Sequence, residues 1–231
     1  MTIQAVVFDL DGTIATFNLD YKTVRAEVRA FLMKMGVPAS VVAVNENIFD
    51  MLKKTELLMI NAGKALGAVK EIRAKALQIA EKYELEAAAN TNLLPGAVDT
   101  LKNLHGMRLR IGLCTINSSN STEHILNRFK IAHYFDTVIS RDQVAKHKPN
   151  PEHCNAALKA MNVSAAETAI VGDSVTDMQA AREIKAVAIG LPTGVSTQEQ
   201  LINQGANYII TSITDLPVLI ERINKFEIGN S

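Results

Sequence analysis

Residues 6–13 are Val6-Val7-Phe8-Asp9-Leu10-Asp11-Gly12-Thr13, an apolar run that leads directly into two carboxylates and a glycine. A short apolar run bounded by a turn signal predicts a buried strand over residues 5–8. Because side chains alternate along a strand, Asp9 and Asp11 are expected to start on the same side. Two carboxylates that point the same way repel each other unless a cation or a shared proton relieves them. The alternative interpretation is a strand followed by an Asx-type turn, where Asp is common.

Composition limits the class of protein. The chain has 231 residues and is 48% hydrophobic, which suits one large domain or a domain with an inserted second one. Lys and Arg together number 24, as do Asp and Glu, so the zero net charge gives no support for binding nucleic acid or an anionic membrane. The two cysteines lack metal-type spacing and predict a reducing, cytoplasmic location. We expect no signal peptide, because the N-terminus lacks a basic start and a cleavage site and its apolar run is interrupted by Asp9 and Asp11. We expect no membrane span, because no uninterrupted apolar run approaches the necessary length.

The stretch after the first strand is predicted to be helical. Residues from about 20 to 89 carry helical periodicity and almost no strand signal. A first helix is indicated by an apolar stripe and ends at Gly36 and Pro38; the stripe is Val24, Val28, Phe31, Leu32 and Met35. Further helices are predicted over about residues 39–61 and 64–85. Together these helices predict a small bundle inserted into the rest of the chain.

From residue 97 onward, strand and helix patterns alternate. Helices are predicted over about 97–106, 121–130, 151–161, 175–185, 197–203 and 215–226, and strands over 109–114, 137–140, 169–172, 187–190 and 208–211. Asn150 is the expected N-cap of the helix that Pro151 begins. The alternation predicts an α/β fold, a doubly wound Rossmann-like core with a parallel sheet covered on both faces. The predicted core domain comprises residues 1–15 and 93–231, and residues 16–92 form an inserted α-helical cap domain.

Polar side chains follow four of the predicted strands and loops. Asp9 and Asp11 follow the first strand, Thr115 follows the second, Lys148 lies in a later loop, and Asp173 ends a further buried strand. Open α/β sheets bind ligands at the carboxyl ends of their strands. These groups are therefore expected to converge on one crevice.

Each of these residues also has a simpler interpretation. Thr115 ends a β-rich strand, which Thr favours, and the lysines of the 146–148 segment read as solvated loop charges. Ser174 and Asp177 fit a helix capping box, although that motif does not explain Asp173. Cys114 is expected to be an inert buried thiol. The histidines show no ligand spacing and are expected to be exposed or partly buried; they are His105, His124, His133, His147 and His153.

Taken together, these pieces resemble a known family. The motifs are Asp9-x-Asp11-Gly12-Thr13, then Thr115 after a strand, then Lys148-Pro149, then Gly172-Asp173-x-x-x-Asp177. In this order they resemble the haloacid dehalogenase (HAD) superfamily, and most closely its phosphoglycolate-phosphatase-like branch, whose helical cap occupies the position of this insert. One departure is present. Many relatives carry Asn directly after the Thr or Ser, whereas here Ile116 follows and Asn117 comes one residue later, so an accessory contact is not carried over.

The resemblance implies a phosphatase that acts on a small phosphorylated metabolite, with phosphoglycolate as the first candidate. Asp9 is implied to attack phosphorus and form an aspartyl-phosphate intermediate. Asp11 is implied to protonate the leaving alkoxide and then to deprotonate the hydrolytic water. Thr115 and Lys148 are implied to bind the phosphoryl group, and the Lys-Pro pattern favours Lys148 over Lys146.

The resemblance also implies a magnesium ion as cofactor. A hard cation bound by oxygens is the natural relief for several carboxylates and a phosphate. Asp9 and Asp173 are implied as ligands, with the backbone carbonyl of Asp11, and Asp177 is implied to support them or to bind through water.

Two other functions stay open. A phosphomutase of the β-phosphoglucomutase kind shares these residues and differs mainly in its cap. A phosphate-binding regulator that has lost catalysis is less favoured, because Asp9, Asp11 and Asp173 are all intact. Dehalogenases and phosphonatases of the superfamily are disfavoured, since they lack a carboxylate at the position of Asp11. The expected partner is a small-molecule substrate, with no nucleic acid and no membrane, and the oligomeric state is left open.

Overall fold

A computed structural model of the protein describes residues 2–228. The chain divides into two compact units, Met1–Asn18 with Ala88–Ser231, and Leu19–Ala87. The predicted core range, 1–15 and 93–231, includes residues 1 and 229–231, which lie outside the described residues. None of the helices within the described residues combines the length and apolar character that crossing a bilayer requires.

The two chain segments that flank the second unit are paired with each other inside the first unit. Thr16 donates its backbone N–H to the carbonyl of Asn92 at 2.7 Å, and Asn18 Nδ2 donates to the carbonyl of Asn90 at 3.2 Å. Ala15 and Leu93 form an isolated antiparallel bridge. These bonds explain why the first unit extends a few residues beyond the predicted boundaries, which stay predictions.

The second unit is built from helices around its own apolar core. Its helices are α1 (Tyr21–Lys34), α2 (Ile48–Asn61) and most of α3 (Leu66–Asn90). The predicted start of the second helix near residue 39 is wrong, because the Asn47 side chain accepts from the N–H of Asp50 and caps the helix there. The third helix runs five residues beyond its predicted end, through the helix-favouring residues Glu86 to Ala89.

A six-stranded sheet organises the first unit. Its strands are β1 (Ala5–Phe8), β2 (Arg110–Cys114), β3 (Thr137–Ile139), β4 (Thr168–Gly172), β5 (Val187–Gly190) and β6 (Tyr208–Ile209). The strand order is β3-β2-β1-β4-β5-β6, and every paired strand is parallel. Strand β1 lies near the middle of the sheet, between β2 and β4, so the carboxyl ends of these three strands lie side by side.

Helices cover both faces of this sheet. They are α4 (Ala97–Gly106), α5 (Ser119–Arg128), α6 (Pro151–Met161), α7 (Val175–Ile184), α8 (Gln198–Asn203) and α9 (Leu216–Ile228). Alternate residues of β1 pack into two different hydrophobic cores. Val6 and Phe8 pack into the core that contains α4 and α9, and Ala5 and Val7 pack into the core that contains α6 and α7. The predicted doubly wound α/β core is confirmed. Strands β1 and β5 and helices α4 and α6 match their predicted limits, and the other elements of this unit differ by one or two residues.

Candidate active site

The turn after β1 places two carboxylates at the middle of the sheet edge. The backbone N–H of Asp9 still donates to the carbonyl of Val171 on β4 at 2.9 Å, so this residue continues the strand pairing. The chain then curls back, with the N–H of Gly12 donating to the carbonyl of Ala15 at 2.7 Å. Gly12 adopts a φ of 75°, a left-handed conformation that favours glycine.

A buried lysine joins three of the segments that meet at this edge. The Nζ of Lys148 donates to Asp9 Oδ1 at 2.8 Å, to Asp177 Oδ1 at 2.6 Å and to the carbonyl of Cys114 at 2.7 Å. These three acceptors use all three ammonium protons, and only 3% of the side chain is exposed. Burial lowers the pKa of Lys148, but the charges of Asp177 and Asp9 outweigh it and raise that pKa well above its ordinary value. Lys146 is exposed, so only Lys148 of the two sequence candidates joins this cluster.

Three carboxylates share this buried space. Asp9, Asp173 and Asp177 each offer an oxygen, and these oxygens lie within 4.8 Å of one another. Burial, partly offset by Lys148, raises the pKa of Asp9 to about 6. Burial and the charges of Asp9 and Asp177 raise the pKa of Asp173 to about 8. One ammonium group therefore faces three acidic groups, and the raised pKa values of Asp9 and Asp173 mean that the protein alone does not fully neutralise the three carboxylates in their ionised forms.

Glycines let the backbone pack directly against these carboxylates. A β-carbon added to Gly194 would lie 2.0 Å from Asp173 Oδ2, and one added to Gly12 would lie 2.6 Å from the Asp173 carboxyl carbon. A β-carbon on Gly172 would lie 2.3 Å from the carboxyl carbon of Asp177. A side chain at any of these three glycines would collide with a carboxylate, so the backbone of the glycines limits where the carboxylates of Asp173 and Asp177 can lie.

Asp177 caps helix α7 and also pairs with Lys148. Its Oδ2 accepts from the backbone N–H of Ser174 at 3.1 Å and from Ser174 Oγ at 2.6 Å, which completes the predicted capping box at the start of α7. Its other oxygen binds Lys148. Both oxygens of Asp177 thus accept from protein donors. Asp173 also accepts at both oxygens, at Oδ2 from the N–H of Val195 at 2.8 Å and at Oδ1 from Thr13 Oγ1 at a long 3.4 Å.

Asp11 lies outside the three-carboxylate cluster and has a different partner. Asn117 Nδ2 donates to Asp11 Oδ2 at 2.6 Å, a contact that the sequence motifs do not predict. The turn after β2 explains it, because the N–H of Asn117 donates to Thr115 Oγ1 at 3.2 Å and brings the amide back toward the sheet edge. Thr115 itself is buried, and its backbone N–H donates to the carbonyl of Ile139 at 3.0 Å.

Comparison with known proteins identifies the family. A model of the haloacid dehalogenase-like hydrolases matches residues 6–191. The chain belongs to this family. A phosphoglycolate phosphatase from Pseudomonas fluorescens is 30% identical over 92% of this chain and 78% of its own length. An N-acetylmuramic acid 6-phosphate phosphatase from Pseudomonas putida is 24% identical over 96% of this chain and 97% of its own length. These relatives confirm the predicted enzyme class, a hydrolase of the phosphatase type.

Solved structures agree on the fold. A hydrolase from Pseudomonas syringae is 24% identical with a TM-score of 0.66, covering 95% of this chain and 99% of that chain. A HAD-superfamily hydrolase from Ehrlichia chaffeensis is 21% identical with a TM-score of 0.59, covering 96% of this chain and 98% of that one. The parallel sheet of this hydrolase is thus the sheet of a HAD fold.

One buried residue near the site of this HAD hydrolase was missed by the sequence analysis. His153, in the first turn of α6, was expected to be exposed or partly buried but is fully buried. Its Nε2 lies 3.0 Å from the carbonyl of Ile139, and its Nδ1 lies 3.4 Å from the backbone nitrogen of Lys148. Burial and the nearby charge of Lys148 lower the pKa of His153 to about 4.

Proposed function

We propose that this HAD hydrolase cleaves a small phosphorylated metabolite, with phosphoglycolate as the first candidate, through an aspartyl-phosphate intermediate. The observation that carries the proposal is the buried ammonium of Lys148 held between Asp9 and Asp177, with Asp173 in the same cluster. Phosphoryl transfer needs positioning and charge neutralisation more than any other help. This arrangement supports both, because it concentrates fixed charge where β1 ends.

Asp9 is the proposed nucleophile. Its carboxylate attacks phosphorus, a P–O bond to Asp9 forms, and the ester P–O bond breaks to release an alkoxide. A pKa of about 6 leaves this carboxylate mostly ionised at pH 7. Lys148 orients Asp9 through the 2.8 Å hydrogen bond and neutralises charge that develops on the transferred group. Thr115 Oγ1 accepts from the N–H of Asn117, and its hydroxyl proton is the proposed donor to a phosphoryl oxygen.

Asp11 is the proposed proton carrier. It gives a proton to the leaving alkoxide in the first step, and in the second step it takes a proton from the water that attacks the aspartyl phosphate. That attack breaks the bond to Asp9 and releases inorganic phosphate. The 2.6 Å bond from Asn117 holds one carboxyl oxygen of Asp11, which supports a fixed orientation of the group.

Magnesium is the proposed cofactor. The donor set fits it, because the excess negative charge of the cluster comes from carboxylate oxygens, which hard divalent cations prefer. Asp9, Asp173 and the backbone carbonyl of Asp11 would hold the ion, while Asp177 stays with Lys148 and Ser174. When bound, Mg²⁺ supplies positive charge that offsets the negative charge of the phosphoryl group.

The substrate proposal rests on kinship. A relative 30% identical over 92% of the chain carries the name phosphoglycolate phosphatase, which supports phosphoglycolate, and a second relative is named for a sugar phosphate. We also propose a cytoplasmic location, which the two buried free thiols of Cys114 and Cys154 support.

Replacement of the nucleophile tests the proposal. We expect Asp9→Asn to lower turnover of an aryl phosphate by more than about 10³-fold, because an amide of the same shape is a poor nucleophile. The matched control is Asp99→Asn, a carboxylate with 78% of its side chain exposed, which should leave turnover unchanged. Wild-type-like turnover in the Asp9 variant would refute the assignment.

A panel of phosphorylated metabolites tests the substrate. We expect phosphoglycolate to give the highest kcat/KM in the presence of Mg²⁺, and N-acetylmuramic acid 6-phosphate serves as the competing candidate. Isomerisation of a sugar phosphate without release of inorganic phosphate would instead favour the phosphomutase alternative.

A further inference from the structure

We propose that His153 is a positioning residue that sets where Lys148 stands in the site, through paired hydrogen bonds of its neutral imidazole ring. This inference rests on the proposed function, in which Lys148 acts on Asp9 and on the phosphoryl group. The ring of His153 is hydrogen-bonded to the backbones of Ile139 and Lys148, so it would act through the lysine.

The partners of the ring determine its protonation state. The Ile139 carbonyl can only accept, so Nε2 must carry the proton and donate to it at 3.0 Å. The backbone N–H of Lys148 can only donate, so Nδ1 must be the unprotonated acceptor at 3.4 Å. Both ring nitrogens are therefore committed in one neutral tautomer. The lowered pKa of His153, about 4, agrees with a ring that stays neutral beside the Lys148 charge.

The backbone of His153 adds a third connection. Cys114 Sγ lies 3.5 Å from the carbonyl of His153, and the carbonyl of Cys114 accepts from Lys148 Nζ at 2.7 Å. His153 thus ties the start of α6 to the ends of β2 and β3 and holds the backbone of the lysine between them. Loss of the ring would leave the buried N–H of Lys148 without this acceptor, which is costly, whereas the carbonyl of Ile139 would keep the N–H of Thr115.

Three variants at this position separate the two ring bonds. His153→Leu removes both, His153→Asn keeps an oxygen near the position of Nδ1, and His153→Gln keeps an N–H near the position of Nε2. The matched control is Leu158→Ala, on the same helix and in the same apolar core, which weakens the packing of α6 without touching Lys148. Lys148→Ala gives the reference for complete loss of the ammonium.

Amide hydrogen exchange and kinetics are measured on each variant. We expect His153→Leu to speed exchange in residues 144–150 by roughly tenfold while α6 keeps its protection. We expect kcat for an aryl phosphate to fall about 100-fold with KM changed little, because a misplaced group costs about this factor. His153→Asn should retain more activity than His153→Gln, since it preserves the acceptor for Lys148. Should the Leu variant fail to fold, the Asn and Gln pair still decides the point.

A purely structural role gives a different pattern. In that case His153→Leu and Leu158→Ala would speed exchange across α6 alike, and kcat would follow the folded fraction in both, which would overturn the inference. A Gln variant as active as the Asn variant would overturn it too. If the wild-type protein hydrolysed no phosphate ester, the proposed function would fail, and selective exchange at 144–150 would still decide the role of His153.

Discussion

The replacement of Gly194 by Ala tests whether the position of one carboxylate controls the site. A β-carbon on Gly194 would lie 2.0 Å from Asp173 Oδ2, and β-carbons essentially never approach another heavy atom within 3.0 Å. The carboxylate therefore has to retreat by about 1 Å, and a misplacement of this size typically costs on the order of 10²-fold in rate. The backbone offers no easy alternative, because the same β-carbon would lie 3.0 Å from the Cα of Gly12.

The bonds of Asp173 set the direction of the effect. Its Oδ2 accepts from the N–H of Val195 at 2.8 Å, so a retreat from Gly194 also weakens this bond. We expect kcat/KM at saturating Mg²⁺ to fall about 100-fold, equivalent to about 2.7 kcal/mol of transition-state stabilisation. The Mg²⁺ concentration for half-maximal activation should rise about tenfold, since the ion loses a correctly placed ligand.

The assay is a Mg²⁺ titration of aryl phosphate turnover, with a thermal melt followed by circular dichroism. Gly106→Ala is the matched control, because a β-carbon on Gly106 would meet nothing within 4 Å, and it should leave both measurements unchanged or slightly raise the melting temperature. A Gly194→Ala enzyme with a wild-type activation curve would refute the reasoning that Asp173 holds the metal against this loop.

Three further perturbations follow from particular contacts. Thr55→Val should raise the free energy of unfolding in urea by about 1 kcal/mol, because Thr55 Oγ1 is buried without a hydrogen-bond partner among the described residues. Thr100→Val should lower it by about the same amount, since Thr100 Oγ1 donates to a backbone carbonyl at 3.2 Å. Equal shifts in both variants would contradict this reasoning. Asp11→Asn should slow single-turnover phosphoryl transfer more for an alkyl phosphate than for a nitrophenyl phosphate, by about 10²-fold or more, and should let the aspartyl phosphate accumulate with the latter; equal losses without accumulation would assign the proton to another group. Replacing residues 19–87 with a short Gly/Ser linker should leave a cooperatively melting core, because residues 16–18 and 90–92 are already hydrogen-bonded to each other; a molten product would count against an independent core.

The elements with the strongest local signals were the ones that the sequence predicted well. In α6, Asn150 caps the helix by accepting from the N–H of Glu152 at 3.0 Å, and Pro151 occupies the first helical position. The identities of these two adjacent residues were therefore enough to predict where the helix begins. Strand β1 was equally clear, since four buried apolar residues stop at a carboxylate. Both signals are local, and neither depends on what the element packs against.

The start of α2 shows where periodicity misleads. Val41 and Val44 continue the apolar spacing of a helix, yet residues 39–47 contain turns. The N–H groups at the start of α2 need a cap, and the Asn47 side chain supplies it eight residues after the predicted start. Val42 is buried there in an irregular segment, and its carbonyl accepts from Arg29 Nε at 2.8 Å, a long-range bond that no local pattern reports.

In the candidate site, too, residues with a local signal were predicted, and a contact that depends on the tertiary fold was not. The order of the residue types, matched to the family pattern, was enough to nominate Asp9, Lys148 and Asp173, and the Lys-Pro pattern distinguished Lys148 from Lys146. The Asn117 bond to Asp11 joins residues 106 positions apart, and it depends on how the turn after β2 folds back. Such a bond is invisible until the register of β1 against β2 is known.

His153 was within reach of a stricter physical argument. The buried residues of α6 include Cys154, Ala157, Leu158 and Met161, and His153 precedes Ala157 by four positions, so the same helical stripe contains it. A histidine on a buried stripe must find a donor and an acceptor or bear the cost of an unsatisfied ring. The chain around it offers a backbone N–H five residues earlier, at Lys148. Helical periodicity combined with hydrogen-bond satisfaction therefore predicts a buried neutral ring next to the lysine, whereas a search for metal-ligand spacing alone passes over it.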